Sequence, residues 1–357
     1  MAGKRLKVGI MFGGRSAEHE VSVVSAQAVM AALDADRFQA VPIGVTRQGT
    51  WLTPADSKRA ITSIRAEKFS ALEEPLGEGI LHRTKALGAL RRLDAVFPLI
   101  HGTNGEDGTL QGFLELAGVP YVGAGVAASA LGMDKALQKV IFRQYGFPMP
   151  EDVVVLASRW RDDPAAVSRE VEATIPYPYF VKPANGGSSI GTSKARSRED
   201  LGEALEEAFR YDRKALVEVA VEGRQIEVAV LGNDEPEASP PGEITFEEEF
   251  YDYRAKYDNP NTQLHIPADI PPQAAEEARA MALAVFKAID CAGLARVDFF
   301  FTPEEQLILN EVNTIPGFTP MSMYPKLWEH AGLPYRDLIT RLIELALERH
   351  EEKRRCV

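Results

Sequence analysis

The chain has 357 residues, 45% of them hydrophobic and 26% charged, with a formal net charge of −12. The length suits two or three domains, and the composition is that of a globular protein with a packed interior. The acidic balance argues against a nucleic-acid or membrane-surface binder, which would show basic clusters; any anion must be met by locally gathered lysine and arginine.

Residues 6–12 form a short apolar run ending in Gly13 and Gly14. The run is too short for a signal peptide or a membrane span and reads as a first strand. Behind it Val21, Val24 and Ala28 recur at helical spacing, with Ser16 as the expected N-cap. Strand, glycine turn and helix open an α/β domain. Further strands are expected over 40–45 and 95–100, the latter followed by HGTNGEDG and a helix. Ligands of open α/β sheets sit beyond strand carboxyl ends, so residues 13–20 and 101–108 are well placed for binding. The polar stretch 47–92 reads as an elaboration of this domain.

The composition shifts near 123–135. Beyond it a helix, strands over 153–156 and 179–182, the stretch VKPANGGSSIGTSK, a helix near 199–210 and the strand ALVEVAV are expected. A third block starts near Gly223, with a strand over 225–231, a long aromatic-acidic segment over 243–265, a helix over 271–290, a strand pair and a C-terminal helix. Its basic tail reads as a solvated helix end. The cysteines, Cys291 and Cys356, provide neither a disulfide framework nor metal-ligand spacing. They fit a reducing cytosol, with Cys291 in the core, and the protein is expected to be cytoplasmic.

The strand pair ARVDFFFTPEEQLILNEVNTIPG is the most informative piece. Residues 303–306 suit a hairpin turn. Symmetric pairing about that turn sets Phe300 opposite Leu309, Asp298 opposite Glu311 and Arg296 opposite Asn313. Side chains alternate along strands, so Arg296, Asp298, Glu311 and Asn313 share one face. Two carboxylates and an amide oxygen there make a hard-cation site of the Mg²⁺ type; the ordinary alternative is a solvated face with one Arg–carboxylate pair. Magnesium held this way commonly shares its remaining positions with phosphates. In VKPANGGSSIGTSK, Lys182 ends a strand, Gly186 and Gly187 let backbone N–H groups approach an anion, and Ser188 and Ser189 add hydroxyls. Together the two pieces point to Mg-ATP.

GGRSAEHEVS, HGTNGEDG, GMDK, VKPANGGSSIGTSK, YDYRAKY, RVDFFF and NEVNTIPGFTPMS occur in this order, and the chain thereby resembles the D-alanine–D-alanine ligase family of ATP-grasp enzymes over nearly its whole length. The resemblance implies an α/β, three-domain ATP-grasp fold. Its parts would be a Rossmann-like N-terminal substrate-side domain (1–123), a central domain carrying the glycine-rich loop (124–220) and a C-terminal domain with the metal site and a mobile lid near 243–265 (221–357). It implies ATP-dependent joining of two D-alanines through an acyl phosphate, for peptidoglycan precursor synthesis, by a homodimer using two Mg²⁺ ions with Mn²⁺ as a substitute.

By the same resemblance Asp298, Glu311 and Asn313 bind metal. Lys135 and Lys182 contact the ATP phosphates, and Lys256 reaches the transferred group. Gly186, Gly187, Ser188 and Ser189 cover the triphosphate, Glu218 meets adenine, Gln225 the ribose, and Phe300 is an apolar wall. Arg296 and the Gly317 N–H stabilise an oxyanion. Glu18 holds the first D-alanine's ammonium, His101 lies near its carboxylate, and Ser322 binds the second carboxylate. Ser188, Tyr257 and Glu18 form a closing link. The chain departs from the family at Gln225, where glutamate is frequent, and at Val219, where lysine is. A related ligase taking D-serine or D-lactate is the alternative, against which YDYRAKY favours an amine; a non-catalytic nucleotide-binding module would not need Arg296.

Overall fold

The computed structural model describes residues 4–63, 88, 90–246 and 262–356. The expected lid, with Lys256 and Tyr257, falls largely on 247–261, outside the described residues.

Three strands, β1 (Leu6–Gly13), β2 (Phe38–Val45) and β3 (Ala95–Pro98), form a parallel sheet ordered β2-β1-β3. Central β1 is buried without alternation over its last six residues, as a strand covered on both faces requires. β3 stops two residues short of the expected run; Leu99 and Ile100 stay buried while leading the chain toward His101. The first helix spans His19–Ala32, and its N-cap is Glu18, not Ser16. A short turn intervenes, in which the His19 N–H donates to Ser16 O. The Glu18 carboxylate makes no capping bond and reaches across the molecule instead.

The second sheet is antiparallel, ordered β4-β7-β5-β6, from β4 (Asp152–Leu156), β5 (Tyr179–Pro183), β6 (Ser193–Ala195) and β7 (Lys214–Val219). Burial alternates along β5: Tyr179, Val181 and Pro183 point inward, while Phe180 and Lys182 point to the other face. Trp160, Val171, Leu201 and Leu205 complete a core drawn entirely from this part of the chain.

The third sheet is antiparallel too, ordered β11-β10-β8-β12-β13 with β9 paired to β8. Its strands are β8 (Arg224–Gly232), β9 (Glu237–Ala238), β10 (Gly242–Thr245), β11 (Gln263–His265), β12 (Gly293–Phe301) and β13 (Leu307–Asn313). The segment read as one long loop over 243–265 thus begins and ends in sheet. One face packs on the helix Pro272–Ala288, whose Ala278, Ala282, Val285 and Phe286 recur at helical spacing. From the other face Ala229, Leu231 and Leu294 join a core containing Ile10, Phe12 and Phe97 of the N-terminal sheet. The last helix, Tyr335–Arg355, buries Leu338, Ile339, Leu342 and Ile343 in that same core. Beyond this stripe, Arg349 bonds to the carbonyls of Tyr121 and Gly123 and lies 4.6 Å over the Tyr121 ring.

The β12–β13 hairpin pairs Arg296 with Asn313 and Asp298 with Glu311, as expected. The symmetric pairing fails beyond that point. A bulge after Asp298 sets Phe299 opposite Leu309 and Phe300 opposite Ile308, leaving Asn310 as the extra residue. Bulges re-aim side chains and recur beside functional sites, and an even count from the turn cannot register one. No helix among the described residues is long and apolar enough to cross a membrane.

Candidate active site

Two cavities meet between the sheets. The first, about 330 Å³, lies between the second and third sheets. The other, about 530 Å³, opens among the loops after β1, β3 and β13. Gly187, Ser188, Arg296 and Glu311 line both.

In the first cavity Phe180 and Phe300 provide apolar walls, with Glu218 and Gln225 nearby. Lys182 projects from β5 and pairs with Glu218, whose other oxygen is 2.9 Å from Lys139 Nζ. Burial alone would raise the Glu218 pKa, but the two ammonium groups outweigh it and hold the value below the usual glutamate range. Lys135 begins the helix Lys135–Gln144, capped by Asp134, which accepts from the Ala136 and Leu137 N–H groups at 3.1 Å. Asp134 also pairs with Lys214 on β7, and the Lys135 N–H donates to Ala184 O at 2.9 Å. The helix start is thereby tied to the root of the glycine-rich loop. Lys135 Nζ donates to Gly186 O at 2.8 Å and stands 3.0 Å from Glu311 Oε2. Burial opposes its charge, yet Glu311 more than compensates and raises its pKa, so Lys135 is a fixed cation.

In the second cavity Ser188, with a left-handed φ of 49°, donates its hydroxyl to Glu18 Oε1 at 2.5 Å. A Cβ on Gly187 would stand 2.9 Å from Glu18 Oε2, so a side chain there would displace the Glu18 carboxylate. His101 Nδ1 lies 3.0 Å from Ile315 O and 3.5 Å from Glu106 Oε1, while its buried Nε2 has no hydrogen-bond partner among the described residues. Burial works against protonating His101; the bond to Glu106 and the charge of Glu18 prevail and raise its pKa. Ser322 caps the helix Met323–His330 from beside Gly317, and its hydroxyl accepts from the Thr319 N–H at 3.1 Å.

Where the cavities join, the third sheet presents Arg296, Asp298, Glu311 and Asn313. Arg296 grips Asp298 with two bonds of 2.7 Å, and Asn313 Nδ2 donates to Asp298 Oδ2 at 2.8 Å. Like charges facing each other across a ladder require a cation, and the protein's own cations, Arg296 and Lys135, stand against these carboxylates. The donor set, two carboxylates and an amide oxygen, has the all-oxygen chemistry of a hard divalent cation, so the residues fit one.

The described candidates all border one cavity or the other; Lys256 and Tyr257 lie outside the described residues. Sequence reasoning missed Glu106, Lys139, Phe180 and Glu227. Glu106 was inside a quoted motif, and Lys139 shares the face of Lys135 one helical turn on. Phe180 and Glu227 each sit two residues from a recognised neighbour, Lys182 and Gln225, and strand alternation would have found both.

A glycine-rich loop on one antiparallel sheet, closing over a cationic and carboxylate face of a second, defines an ATP-grasp fold. Residues 7–124 match the family described as D-ala D-ala ligase N-terminus and residues 141–344 match D-ala D-ala ligase C-terminus. The D-alanine–D-alanine ligase of Geobacillus thermodenitrificans is 47% identical over 354 residues, covering 98% of this chain and 97% of the relative. That of Deinococcus radiodurans is 48% identical, covering 96% and 98%. Among solved structures, the D-alanine-D-alanine ligase from Coxiella burnetii superposes with a TM-score of 0.82 at 36% identity, over 99% of this chain and 97% of that one. The VanG D-Ala:D-Ser ligase from Enterococcus faecalis follows at 0.79 and 34%, over 96% and 100%. The chain belongs to the D-alanine–D-alanine ligase family.

Proposed function

We propose that this protein joins two D-alanines into D-alanyl-D-alanine with ATP as the energy source and a divalent cation, for cell-wall precursor synthesis. The observation that carries the reading is the wall common to both cavities, at Gly187, Ser188, Arg296 and Glu311. A phosphoryl donor in one cavity and a carboxylate in the other would meet there. Two anions must approach, so positioning and charge neutralisation supply most of the catalysis.

The nucleotide occupies the first cavity, its base between Phe180 and Phe300 near Glu218, its ribose at Gln225 and its phosphates at Lys135 and Lys182 under Gly186, Gly187 and Ser189. Asp298, Glu311 and Asn313 would hold two Mg²⁺ ions, with Mn²⁺ as a substitute. Bound there, the metal supplies neutralisation of phosphate charge. Glu18 holds the ammonium of the first D-alanine, and His101 lies near its carboxylate. The γ-phosphoryl passes to that carboxylate with release of ADP. The second D-alanine, its carboxylate at Ser322, attacks the acyl carbon through its deprotonated amine. Arg296 and the Gly317 N–H face the resulting oxyanion, and phosphate departs. Ser188 and Glu18, with Tyr257, close the site, and Lys256 follows the transferred group.

The reading takes residues 1–123, 124–220 and 221–357 as three domains, since each contains one sheet, and the chain as a cytoplasmic homodimer, which sedimentation of the purified protein would test. A phosphate-release assay with ATP and Mg²⁺ tests the chemistry: turnover with D-alanine alone is expected. Turnover only when D-serine or D-lactate is added would overturn the choice of second substrate.

A further inference from the structure

Arg296 lies between two carboxylates on neighbouring strands. Its Nε is 2.7 Å from Asp298 Oδ1 and 3.0 Å from Glu227 Oε2, and its Nη2 is 2.7 Å from Asp298 Oδ2. Glu227 stands directly opposite Asp298 on β8, as Glu311 does on β13. Three carboxylates therefore cross the sheet in one row, with Asp298 in the middle. Among the described residues no three His, Cys, Asp or Glu side chains are grouped so as to hold one metal ion, and Glu227 is turned to Arg296.

Asp298 carries conflicting demands, on the reading above that it is a metal ligand. Arg296 engages both of its oxygens, and Asn313 donates to Oδ2 as well. A carboxylate has about four lone-pair sites, and those facing Arg296 cannot also face a cation. Loading Asp298 must loosen this grip, and a buried guanidinium stripped of its anion is strongly unfavourable. The Glu227 side chain is only 4% exposed and already within reach.

We propose that Glu227 is a positioning residue that retains Arg296 at the junction of the cavities when Asp298 turns to a divalent cation. Arg296 then trades a shared partner for a dedicated one and keeps its place toward the reacting carbonyl. The inference rests on the metal role of Asp298.

Mn²⁺ titrated into the protein with a non-hydrolysable ATP analogue, followed by electron paramagnetic resonance of the free ion, tests it. In Glu227→Gln, Arg296 competes with the metal for Asp298, and Mn²⁺ affinity should fall about tenfold. With Arg296 already replaced by alanine, the same change should move affinity by less than about twofold, the non-additivity that marks coupled residues. Mere loss of a negative charge would weaken Mn²⁺ equally in both backgrounds, and equal falls overturn the proposal. Turnover by Glu227→Gln should drop in kcat with KM for ATP and D-alanine little changed, and Glu227→Asp should recover part of it. Should Glu227→Gln not fold, Glu227→Asp replaces it in the titration, and unaltered affinity and kcat there overturn the proposal. A wild-type protein that binds no Mn²⁺ beside the analogue overturns the metal reading and this inference together. Wild-type binding with no coupling between Glu227 and Arg296 overturns this inference alone.

Discussion

Arg296 and Glu218 show how single buried charges are fixed by their neighbours. If Arg296 faces the developing oxyanion, Arg296→Ala removes a donor whose loss costs about 3–4 kcal/mol of transition-state stabilisation. The expected result is a kcat lower by two to three orders of magnitude, and unchanged turnover would refute the role. Glu218 bears on stability. Its folded pKa lies below its unfolded one, because Lys182 and Lys139 outweigh burial. Its contribution is therefore complete above the ordinary glutamate value of about 4.3 and is lost as pH falls below that toward the depressed value. Urea midpoints measured across this acidic window should fall more steeply for wild type than for Glu218→Gln. Identical slopes would show that Glu218 does not carry the acid sensitivity.

At the scale of elements, the sequence revealed what depends on period and spacing. The row Arg296, Asp298, Glu311 and Asn313 follows from alternation alone, and the hairpin pairs these residues as expected. The bulge at Asn310 was hidden, because an extra residue leaves no trace in an apolar run. The start of the first helix was misplaced at Ser16, a favoured cap residue; the N-cap position falls to Glu18, whose carboxylate caps nothing and accepts from Ser188, 170 residues away. Such distant partners have no local signature. Gly293 was also unremarkable in sequence. Its φ is +76°, and a Cβ there would stand 2.9 Å from the backbone of Gly123, where the third sheet meets the exit of the N-terminal domain. Gly293→Ala should destabilise the protein by at least the left-handed strain of about 1–2 kcal/mol, readable as a lower urea midpoint. An unchanged midpoint would mean the two backbones can separate without cost.

Across the whole molecule, the apolar interior divides unevenly. The second sheet has a core of its own, built from a single continuous stretch. The N-terminal sheet covers one face with its own residues, among them Met11, Val96 and Leu114, and shares the core on its other face with the last helix, where Leu342 and Ile343 are fully buried. Leu342→Ala should cost about 2–5 kcal/mol, measurable by chemical denaturation. Because the cavity lies in the common core, the loss should appear as one lowered transition for the N- and C-terminal sheets together. A transition confined to the C-terminal helix would contradict the shared core.

That division has a consequence for how the chain is made. A ribosome releases the N-terminus first, yet one face of the N-terminal sheet lacks the residues that seal it until Leu338–Ala346 have emerged. The middle of the chain can close as soon as β7 and its helices are out. Birth order and folding order are thus expected to differ, with the central unit maturing while its predecessor waits, its apolar surface open to chaperones. Stalled nascent chains probed by protease should show protection of 152–219 before protection of 6–98.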